Sequence, residues 1–306
     1  MIVVIGSINM DLVLRVPRIP AAGETLSGSA FRTIPGGKGA NQAVACARLG
    51  TGSLPAVAMV GCLGDDGFGT LLRAALVAEG IDVSCVSTMP GIASGVATIM
   101  VDAAGQNSIV IAGGANDLLS PAHIDAAHEL IAQAGIVVLQ LESPLATVEY
   151  AIGLAHKLGK IVVLNPAPAP ATPLPVALLA QVDYLIPNEI EAAMLAGCAP
   201  DDVAGASAAL RAQGCRNVLV TLGAKGVHAA LADGTLAFAA HPVVAVDSTA
   251  AGDTFIGGFV AALAAGEPVV EAIALGQRAA AWSVMRHGAQ TSIPHRHALT
   301  GTGKPA

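Results

Sequence analysis

The chain contains 306 residues, carries a formal net charge of −7 and is 54% hydrophobic, which is enough apolar material to fill the core of one large domain. It has no block rich in lysine or arginine, so the composition argues against a nucleic-acid groove and against binding to an anionic membrane. The longest uncharged stretch of the second half, 161–182, is interrupted by five prolines and does not read as a membrane-spanning helix.

Apolar runs of strand length alternate along the chain with longer segments of helical character. The predicted strands are 2–5, 56–60, 136–140, 161–165, 183–186 and 217–221. The predicted helices are 38–50, 68–80, 121–135, 147–159 and 189–197, several of which end on a glycine. A hairpin is predicted at 227–240, around an Asp-Gly turn. This βαβ rhythm predicts an α/β fold, in which helices cover both faces of a mostly parallel central sheet.

Two stretches, 11–37 and 94–116, break this alternation because they contain short strands and Gly- or Asn-rich turns but no helix. We expect them to form a small antiparallel sheet that covers the carboxyl edge of the main sheet as a lid. The alternative is a pair of ordinary surface hairpins. The domain prediction is an α/β domain of 1–10, 36–93 and 114–306, with a β lid of 11–35 and 94–113.

Polar residues follow several predicted strands, at the edge where open α/β sheets bind ligands. Asn9 and Asp11 lie just after the first strand, and Glu142 follows the strand 136–140. Asn41 lies in the glycine-rich segment PGGKGANQA, and its amide can both donate to and accept from a sugar hydroxyl. Together these side chains predict a polyol pocket. The alternative for each one separately is a helix cap or a solvated loop residue.

The segment PNEIEA places Asn188 and Glu191 three residues apart at the start of a predicted helix. This spacing fits a capping box as well as it fits two side chains that face a ligand. Asp66, in GCLGDDGFG, is most simply a helix N-cap. The chain has no G-x-x-x-x-G-K-[ST] motif and no G-x-G-x-x-G after its first strand, which disfavours a P-loop and a dinucleotide fold.

The run DSTAAGDTF, 247–255, places an aspartate where a turn of small residues becomes an apolar helix. The first amides of a helix lack intrahelical partners and attract anions, and small side chains let a large group approach them. Asp253 is then either an N-cap or a catalytic base that faces a hydroxyl while the amides hold a transferring phosphoryl group. This stretch alone does not decide between the two.

Taken together, these motifs resemble the ribokinase family of carbohydrate and nucleoside kinases. The likeness covers nearly the whole chain, through GSINMD, PGGKGANQA, GCLGDDGFG, QLESP, LNPAPA, PNEIEA, TLGAKG, DSTAAGDTF and GAQTSIP. It implies a three-layer α/β/α sandwich with a β lid, and ATP-dependent phosphorylation of D-ribose at O5. The alternatives are a related sugar or nucleoside kinase, acting on deoxyribose or a pseudouridine-like compound, and a non-catalytic sugar-binding regulator.

The resemblance also implies roles for individual residues. Asp253 would be the base, beside an anion hole formed by the amides of Ala250, Ala251 and Gly252. Ribose would be held by Asn9, Asp11, Gly37, Lys38, Asn41 and Glu142. ATP, with Mg²⁺, would lie against Asn188, Glu191, Thr221 and Gly223. A monovalent cation such as K⁺ would lie beside Asp247, Thr249, Ser283, Arg286, Gly288 and Ser292.

Further expectations concern assembly, location and the turn before Asp253. The resemblance implies a homodimer formed through the β lid. No basic residue precedes Arg15 to form a signal peptide, and five cysteines without a CxxC pair predict reduced thiols, so we expect a cytoplasmic protein. Many family members have glycine at position 250, and we expect Ala250 to be tolerated there with a negative φ. The terminal segment 300–306 is expected to be disordered.

Overall fold

The computed structural model describes residues 1–51 and 56–299. The segment 300–306, for which disorder is expected, lies outside these ranges. Within them, no helix has the length and apolar character needed to cross a membrane. The strands of the described ranges, in chain order, are Ile2–Ile5 (β1), Asn9–Arg15 (β2), Ala30–Gly36 (β3), Val57–Gly64 (β4), Asp82–Met89 (β5), Gly95–Val101 (β6), Asn107–Ala112 (β7), Ile136–Leu139 (β8), Ile161–Leu164 (β9), Tyr184–Leu185 (β10), Asn217–Thr221 (β11), Val227–Leu231 (β12) and Gly234–Phe238 (β13).

The main sheet has, over the described residues, nine strands in the order β13-β12-β11-β10-β9-β8-β1-β4-β5. β1 is an interior strand, third from the β5 edge, and pairs in parallel with β4 on one side and with β8 on the other. The pairings of β11 with β12 and of β12 with β13 are antiparallel, and they form the predicted hairpin edge. The central strands are buried along their whole length, which explains why they read as continuous apolar runs.

Helices cover both faces of the main sheet, so the predicted three-layer sandwich is confirmed. The helices of the described ranges are Lys38–Leu49 (α1), Gly67–Ala78 (α2), Pro121–Ala126 (α3), His128–Gln133 (α4), Leu145–Lys157 (α5), Val176–Leu179 (α6), Glu189–Ala196 (α7), Val203–Ala212 (α8), Ala251–Ala264 (α9) and Val269–Ser283 (α10). α1, α2, α9 and α10 supply one apolar core. Helices α3 to α8 supply the core on the opposite face. The helix predicted at 121–135 is divided into α3 and α4 at Ala127.

A small second sheet, in the order β3-β2-β6-β7, is formed by the two stretches that break the βαβ alternation. β2 pairs with β3, and β6 with β7, in antiparallel fashion. The two pairs are joined because β2 also runs parallel to β6 along its whole length. The predicted small sheet is thereby confirmed, with a parallel pairing at its centre.

Buried side chains fix this small sheet, called the lid from this point, to the main domain. Asn116 accepts a hydrogen bond from the amide of Ile8 (2.9 Å) and donates to the Ile8 carbonyl (3.2 Å), just before β2 begins. Asp66 caps α2, as predicted, by accepting from the amide of Gly69 (2.7 Å). The same carboxylate accepts from the amide of Ser94 (2.9 Å) at the start of β6. Both central lid strands therefore begin at fixed points.

Candidate active site

A cleft of about 440 Å³ opens where α9 begins, beside the carboxyl ends of the parallel strands. Parallel α/β sheets bind ligands at this edge. Its lining contains residues from both halves of the predicted site: Lys38, Asn188, Glu191, Thr221, Gly223, Ala250, Ala251, Gly252 and Asp253. The fold therefore brings together residues that are separated by more than half of the sequence.

Asp253 is buried in the first turn of α9 but does not cap that helix. Its two carboxylate oxygens accept hydrogen bonds from α1: one from Asn41 Nδ2 (3.0 Å) and one from Gln42 Nε2 (2.9 Å). The N-cap position belongs to Ala250, three residues earlier. A buried carboxylate held at the mouth of a cleft by two amide donors has the geometry of a base rather than that of a cap.

The turn before α9 differs from our expectation. Ala250 has φ 57° and ψ 15°, which is the left-handed region, so the prediction of a negative φ was wrong. The Ala250 carbonyl accepts from both the amide and the hydroxyl of Thr254, each at 2.8 Å, and so takes part in the first turn of α9. The left-handed region places the Cβ of a residue close to the following carbonyl, which explains why glycine is the commoner residue here.

The amides at the start of α9 differ in their availability. The amide of Ala251 donates to the Ser248 carbonyl at 3.2 Å, whereas those of Ala250 and Gly252 have no acceptor within the described residues. A Cβ added to Gly252 would meet no atom within 4 Å, so this residue borders open space. An anion in the cleft can therefore approach the unpaired amides without a side chain in its path.

The predicted sugar residues lie beside Asp253. Asp11 is buried, and this burial, reinforced by the charges of Glu142 and Asp253, raises its pKa to about 7. Glu142 accepts from Ser7 Oγ (2.6 Å) and from the amide of Lys38 (3.1 Å). Neither Asp11 nor Glu142 lines the cleft itself, but together with Asp253 they concentrate carboxyl groups that can accept from or donate to hydroxyl groups.

Two amide side chains have groups that are available to a ligand. Asn9 uses its oxygen to accept from Asn116 Nδ2 (2.7 Å), and this orientation leaves the Asn9 amide protons for another partner. Asn41 donates to Asp253, while its oxygen is buried and has no donor among the described residues. Gly37, at φ 89°, packs so closely against the backbone of Asn9 that a Cβ on it would lie 2.7 Å from the Asn9 backbone nitrogen. A polyol would supply the missing donors and acceptors.

Lys38 lies between the sugar side and the nucleotide side. Burial tends to lower its pKa, but the charges of Asp253, Glu142 and Glu191 outweigh burial and raise it. Lys38 is therefore a permanent cation that faces the cleft. A cation in this place attracts the phosphate chain of a nucleotide.

The capping box predicted as one reading of PNEIEA is present. Asn188 Oδ1 accepts from the amide of Glu191 (2.8 Å), and Glu191 Oε2 accepts from the amide of Asn188 (2.9 Å). Both residues also line the cleft, together with Thr221 and Gly223. Burial raises the pKa of Glu191. The capping role therefore does not remove these side chains from the site.

Three of the six residues predicted to lie near a monovalent cation are in direct contact. Asp247 accepts from the amide (2.9 Å) and hydroxyl (2.6 Å) of Thr249, and from the amide of Gly288 (2.9 Å). Burial opposes ionisation of Asp247, but these hydrogen bonds prevail and lower its pKa. The result is a fixed negative charge just before the anion-binding turn.

The side chains of the other three are turned toward their own segments. Ser283 Oγ donates to the Ala280 carbonyl (2.9 Å) and Ser292 Oγ to that of Ala289 (2.8 Å). The guanidinium of Arg286 lies over the Trp282 ring, at 4.3 Å from its centroid. If these three residues contact a cation, they do so through their backbone carbonyl oxygens.

Sequence comparison identifies the family of this chain. Residues 1–296 match the sequence model of the pfkB family carbohydrate kinases. The chain belongs to this family. A ribokinase from Haemophilus influenzae is 44% identical over 299 residues, covering 96% of this chain and 95% of that one. A deoxyribokinase from Salmonella typhi is 40% identical over 296 residues, with 96% and 95% covered.

Solved structures of family members have the same fold. The structure of Arabidopsis thaliana ribokinase complexed with ribose and ATP matches with a TM-score of 0.88 at 34% identity, covering 97% of this chain and 96% of that one. Ribokinase from Thermotoga maritima matches with a TM-score of 0.87 at 36% identity, covering 98% and 97%. The chain is thus a carbohydrate kinase along its whole matched length.

Phosphoryl transfer in a carbohydrate kinase needs a divalent metal ion, and the cleft fits one that arrives with the nucleotide. Within the part of the chain that the structure describes, no group of three His, Cys, Asp or Glu side chains could hold a metal. Glu189 and Glu191 are the carboxylates that line the cleft beside Asn188. Mg²⁺ typically keeps several waters and is held by one or two carboxylates plus substrate phosphates, which matches this sparse donor set.

Three buried polar residues next to Asp253 were not among the site residues predicted from the sequence. Gln42, Gln140 and Asn165 form a hydrogen-bonded group that ends on Asp253. Each lies within a motif that carries the family resemblance: NQA, QLES and LNPAPA. The available signal was Gln42 itself, a polar residue in a helix whose other buried residues, apart from Asn41, are glycine, alanine, valine, cysteine and leucine.

Proposed function

We propose that the protein transfers the γ-phosphoryl group of ATP to the 5-hydroxyl of D-ribose, giving D-ribose 5-phosphate and ADP. The observation that carries the proposal is the position of Asp253. Its carboxylate lies between a buried set of sugar-binding groups and a cleft with unpaired amides. Relatives named ribokinase, at up to 44% identity over nearly the whole chain, support ribose as the acceptor.

In this proposal Asp253 accepts the proton of the primary hydroxyl. The sugar oxygen forms a bond to the γ-phosphorus while the bond from that phosphorus to the bridging oxygen breaks, and ADP leaves. A carboxylate is a weak base for an alcohol, so the proton moves late, when the forming bond has made the hydroxyl acidic. The amides of Ala250, Ala251 and Gly252 face the charge of the transferring group, with that of Ala251 requiring release from Ser248.

We assign the sugar-binding role to Asn9, Asp11, Gly37, Lys38, Asn41 and Glu142. Asp11 supports this assignment because its raised pKa allows the carboxyl group to donate as well as accept near neutral pH. The unpaired oxygen of Asn41 supports it because a buried acceptor of this kind is costly unless a ligand donates to it.

We assign the nucleotide side to Asn188, Glu191, Thr221 and Gly223. Bound with ATP, Mg²⁺ supplies charge neutralisation on the β- and γ-phosphates. Glu191 would hold this ion through water, and Lys38 would face the phosphates directly. A K⁺ ion beside Asp247, Thr249 and Gly288, and beside backbone carbonyls of Ser283, Arg286 and Ser292, would fix the turn that carries the unpaired amides. The ionised state of Asp247 supports a cation there.

We further propose that residues 11–35 and 94–113 act as a lid that closes over the sugar, and that two copies pair through it. The exposed apolar side chains Phe31, Ile109, Val110 and Ile111 on the lid strands support the pairing. A cytoplasmic location is supported by five cysteines that are all free.

A steady-state panel tests the function. Purified protein is assayed for ADP release with ATP, Mg²⁺ and K⁺ against ribose, 2-deoxyribose, other pentoses, hexoses and nucleosides. We expect ribose to give the highest kcat/KM. Deoxyribose is the competing substrate, because a deoxyribokinase is as similar to this chain as several ribokinases are. Ribose ranking below deoxyribose or a nucleoside would overturn the substrate assignment, and ribose binding without ADP release would indicate a non-catalytic sugar-binding regulator.

A further inference from the structure

The carboxylate of Asp253 ends a buried chain of side-chain amides. Gln140 Nε2 donates to Gln42 Oε1 at 2.7 Å, and Gln42 Nε2 donates to Asp253 Oδ1 at 2.9 Å. The same nitrogen of Gln42 donates to Asn165 Oδ1 at 3.2 Å. Asn165 in turn donates to the Ile186 carbonyl at 2.9 Å. The chain thus links Asp253 to the residues that directly follow three neighbouring strands: Gln140 follows β8, Asn165 follows β9 and Ile186 follows β10.

Asp253 sets the direction of the two hydrogen bonds that run from Gln140 through Gln42 to its carboxylate. An ionised carboxylate can only accept, so Gln42 must turn its amide protons toward it. The carbonyl oxygen of Gln42 then faces Gln140, which must turn its own amide protons toward that oxygen. No other orientation of the Gln42 amide satisfies both ends, so the side chain is held in a single state.

Gln42 has no group left for a substrate. Its relative exposure is 0%, and both of its polar atoms are used by protein partners. Asn41 differs, because it donates to the other carboxylate oxygen and keeps a free acceptor. The two neighbouring residues of α1 therefore differ in role: Asn41 can contact the sugar, whereas Gln42 can act only through its protein partners, chiefly Asp253.

We propose that Gln42 is a positioning residue that holds the carboxylate plane of Asp253 in the orientation needed to accept the proton of the primary hydroxyl. This inference rests on the proposed function. A carboxylate with one donor on each oxygen cannot rotate about its Cβ–Cγ bond without breaking a hydrogen bond in a dry site. Without Gln42, Oδ1 loses its donor and the carboxylate can turn.

The first test replaces Gln42 by methionine, which keeps the length and approximate volume of the side chain. Loss of orientation at a reacting group costs up to about a hundredfold in rate. We expect Gln42→Met to lower kcat by about 10- to 100-fold while KM for ribose and for ATP stays within about twofold. The matched control is Gln277→Met, because Gln277 is also buried but donates to the backbone carbonyls of Phe238 and Ala239. We expect that control to keep the wild-type kcat.

The second test asks whether the chain acts as a unit. Gln140→Met removes the far link and leaves the contact between Gln42 and Asp253 in place, so we expect a smaller fall in kcat than for Gln42→Met. The double variant should be no slower than Gln42→Met alone, because residues that act as a unit are not additive. Independent, multiplying effects of the two substitutions, or an unchanged kcat in folded Gln42→Met, would overturn the proposal.

A third measurement does not depend on turnover. In protein labelled with ¹³C at aspartate carboxyl groups, the Asp253 resonance is assigned by its loss in Asp253→Asn. We expect Gln42→Met to move this resonance and Gln277→Met to leave it in place. If wild-type protein phosphorylates no sugar, the proposed function fails while this measurement still decides the role of Gln42. If Gln42→Met does not fold, Gln140→Met supplies the same comparison, and an unmoved Asp253 resonance in that variant overturns the chain.

Discussion

Ala250→Gly should make the protein more stable, although glycine usually destabilises. Ala250 has φ 57° and ψ 15°, a conformation that costs an L-residue roughly 1–2 kcal/mol and glycine almost nothing. The greater conformational freedom of glycine stabilises the unfolded chain and offsets about 0.4–1 kcal/mol of this gain. The net increase in the free energy of unfolding is therefore about 0.5–1 kcal/mol. In a chain of this size it corresponds to an increase in Tm of about 1–3 °C.

Differential scanning calorimetry of wild type, Ala250→Gly and Ala251→Gly measures the effect. Ala251 is the matched control, because it is the next residue and begins α9 with ordinary helical geometry. Glycine there should lower the stability by up to about 1 kcal/mol, the usual helix penalty. A rise in Tm for Ala250→Gly and a fall in Tm for Ala251→Gly would together indicate that residue 250 has a left-handed conformation. If both substitutions lower Tm to the same extent, the argument from the backbone angle of Ala250 is refuted.

The remaining predictions concern the reaction and its pH dependence. Asp253→Asn should lower kcat by on the order of 10² to 10⁴ while calorimetry finds ribose and ATP binding nearly intact; a variant keeping more than about a tenth of the wild-type kcat would reduce Asp253 to a structural role. Gly252→Ala should fold normally, because its Cβ enters open space. Its kcat should fall by at least about tenfold, because that space is the path by which the phosphoryl group approaches the amides. An unchanged kcat would contradict the proposed position of the phosphoryl group. Asp11 binds a proton more tightly when folded, so stability is lost as pH rises from about 4 to its folded pKa of about 7. In urea unfolding, the stability of Asp11→Asn relative to wild type should increase by on the order of 4 kcal/mol across this interval, and a pH-independent difference would contradict the assigned pKa.

The fold was largely predictable because its central strands and most helices have strong local patterns. β5 was missed because it is an edge strand whose residues alternate in exposure, so it contains no continuous apolar run. The division of 121–135 into two helices leaves no mark in the sequence, since Ala127 is itself a good helix former. Such a break depends on how the two pieces pack, which a local pattern does not record.

The candidate site was predictable to the level of which residues lie near one another. Asn41, Asp253 and Glu191 lie in the first turns of helices, and the fold brings these turns to one edge, where Asn41 contacts Asp253 and where Asp253 and Glu191 line the cleft. The conformation of Ala250 was not predictable, because a left-handed φ runs against the intrinsic preference of alanine and is set by the path of the folded chain into α9. The role of Gln42 was also hidden, since its partners come from separate strands that only the folded chain brings together.

The position of β1 has a consequence for how the chain is made. β1 is an interior strand of the main sheet, with Ile2 paired to Val57 on one side and to Ile136, far along the chain, on the other. A nascent chain therefore carries an apolar strand with an open edge until β8 has left the ribosome. Structures dominated by such distant pairings fold slowly and are exposed to aggregation while incomplete. Protection of the open edge of β1 until β8 is available therefore contributes to how much of the chain reaches the folded state.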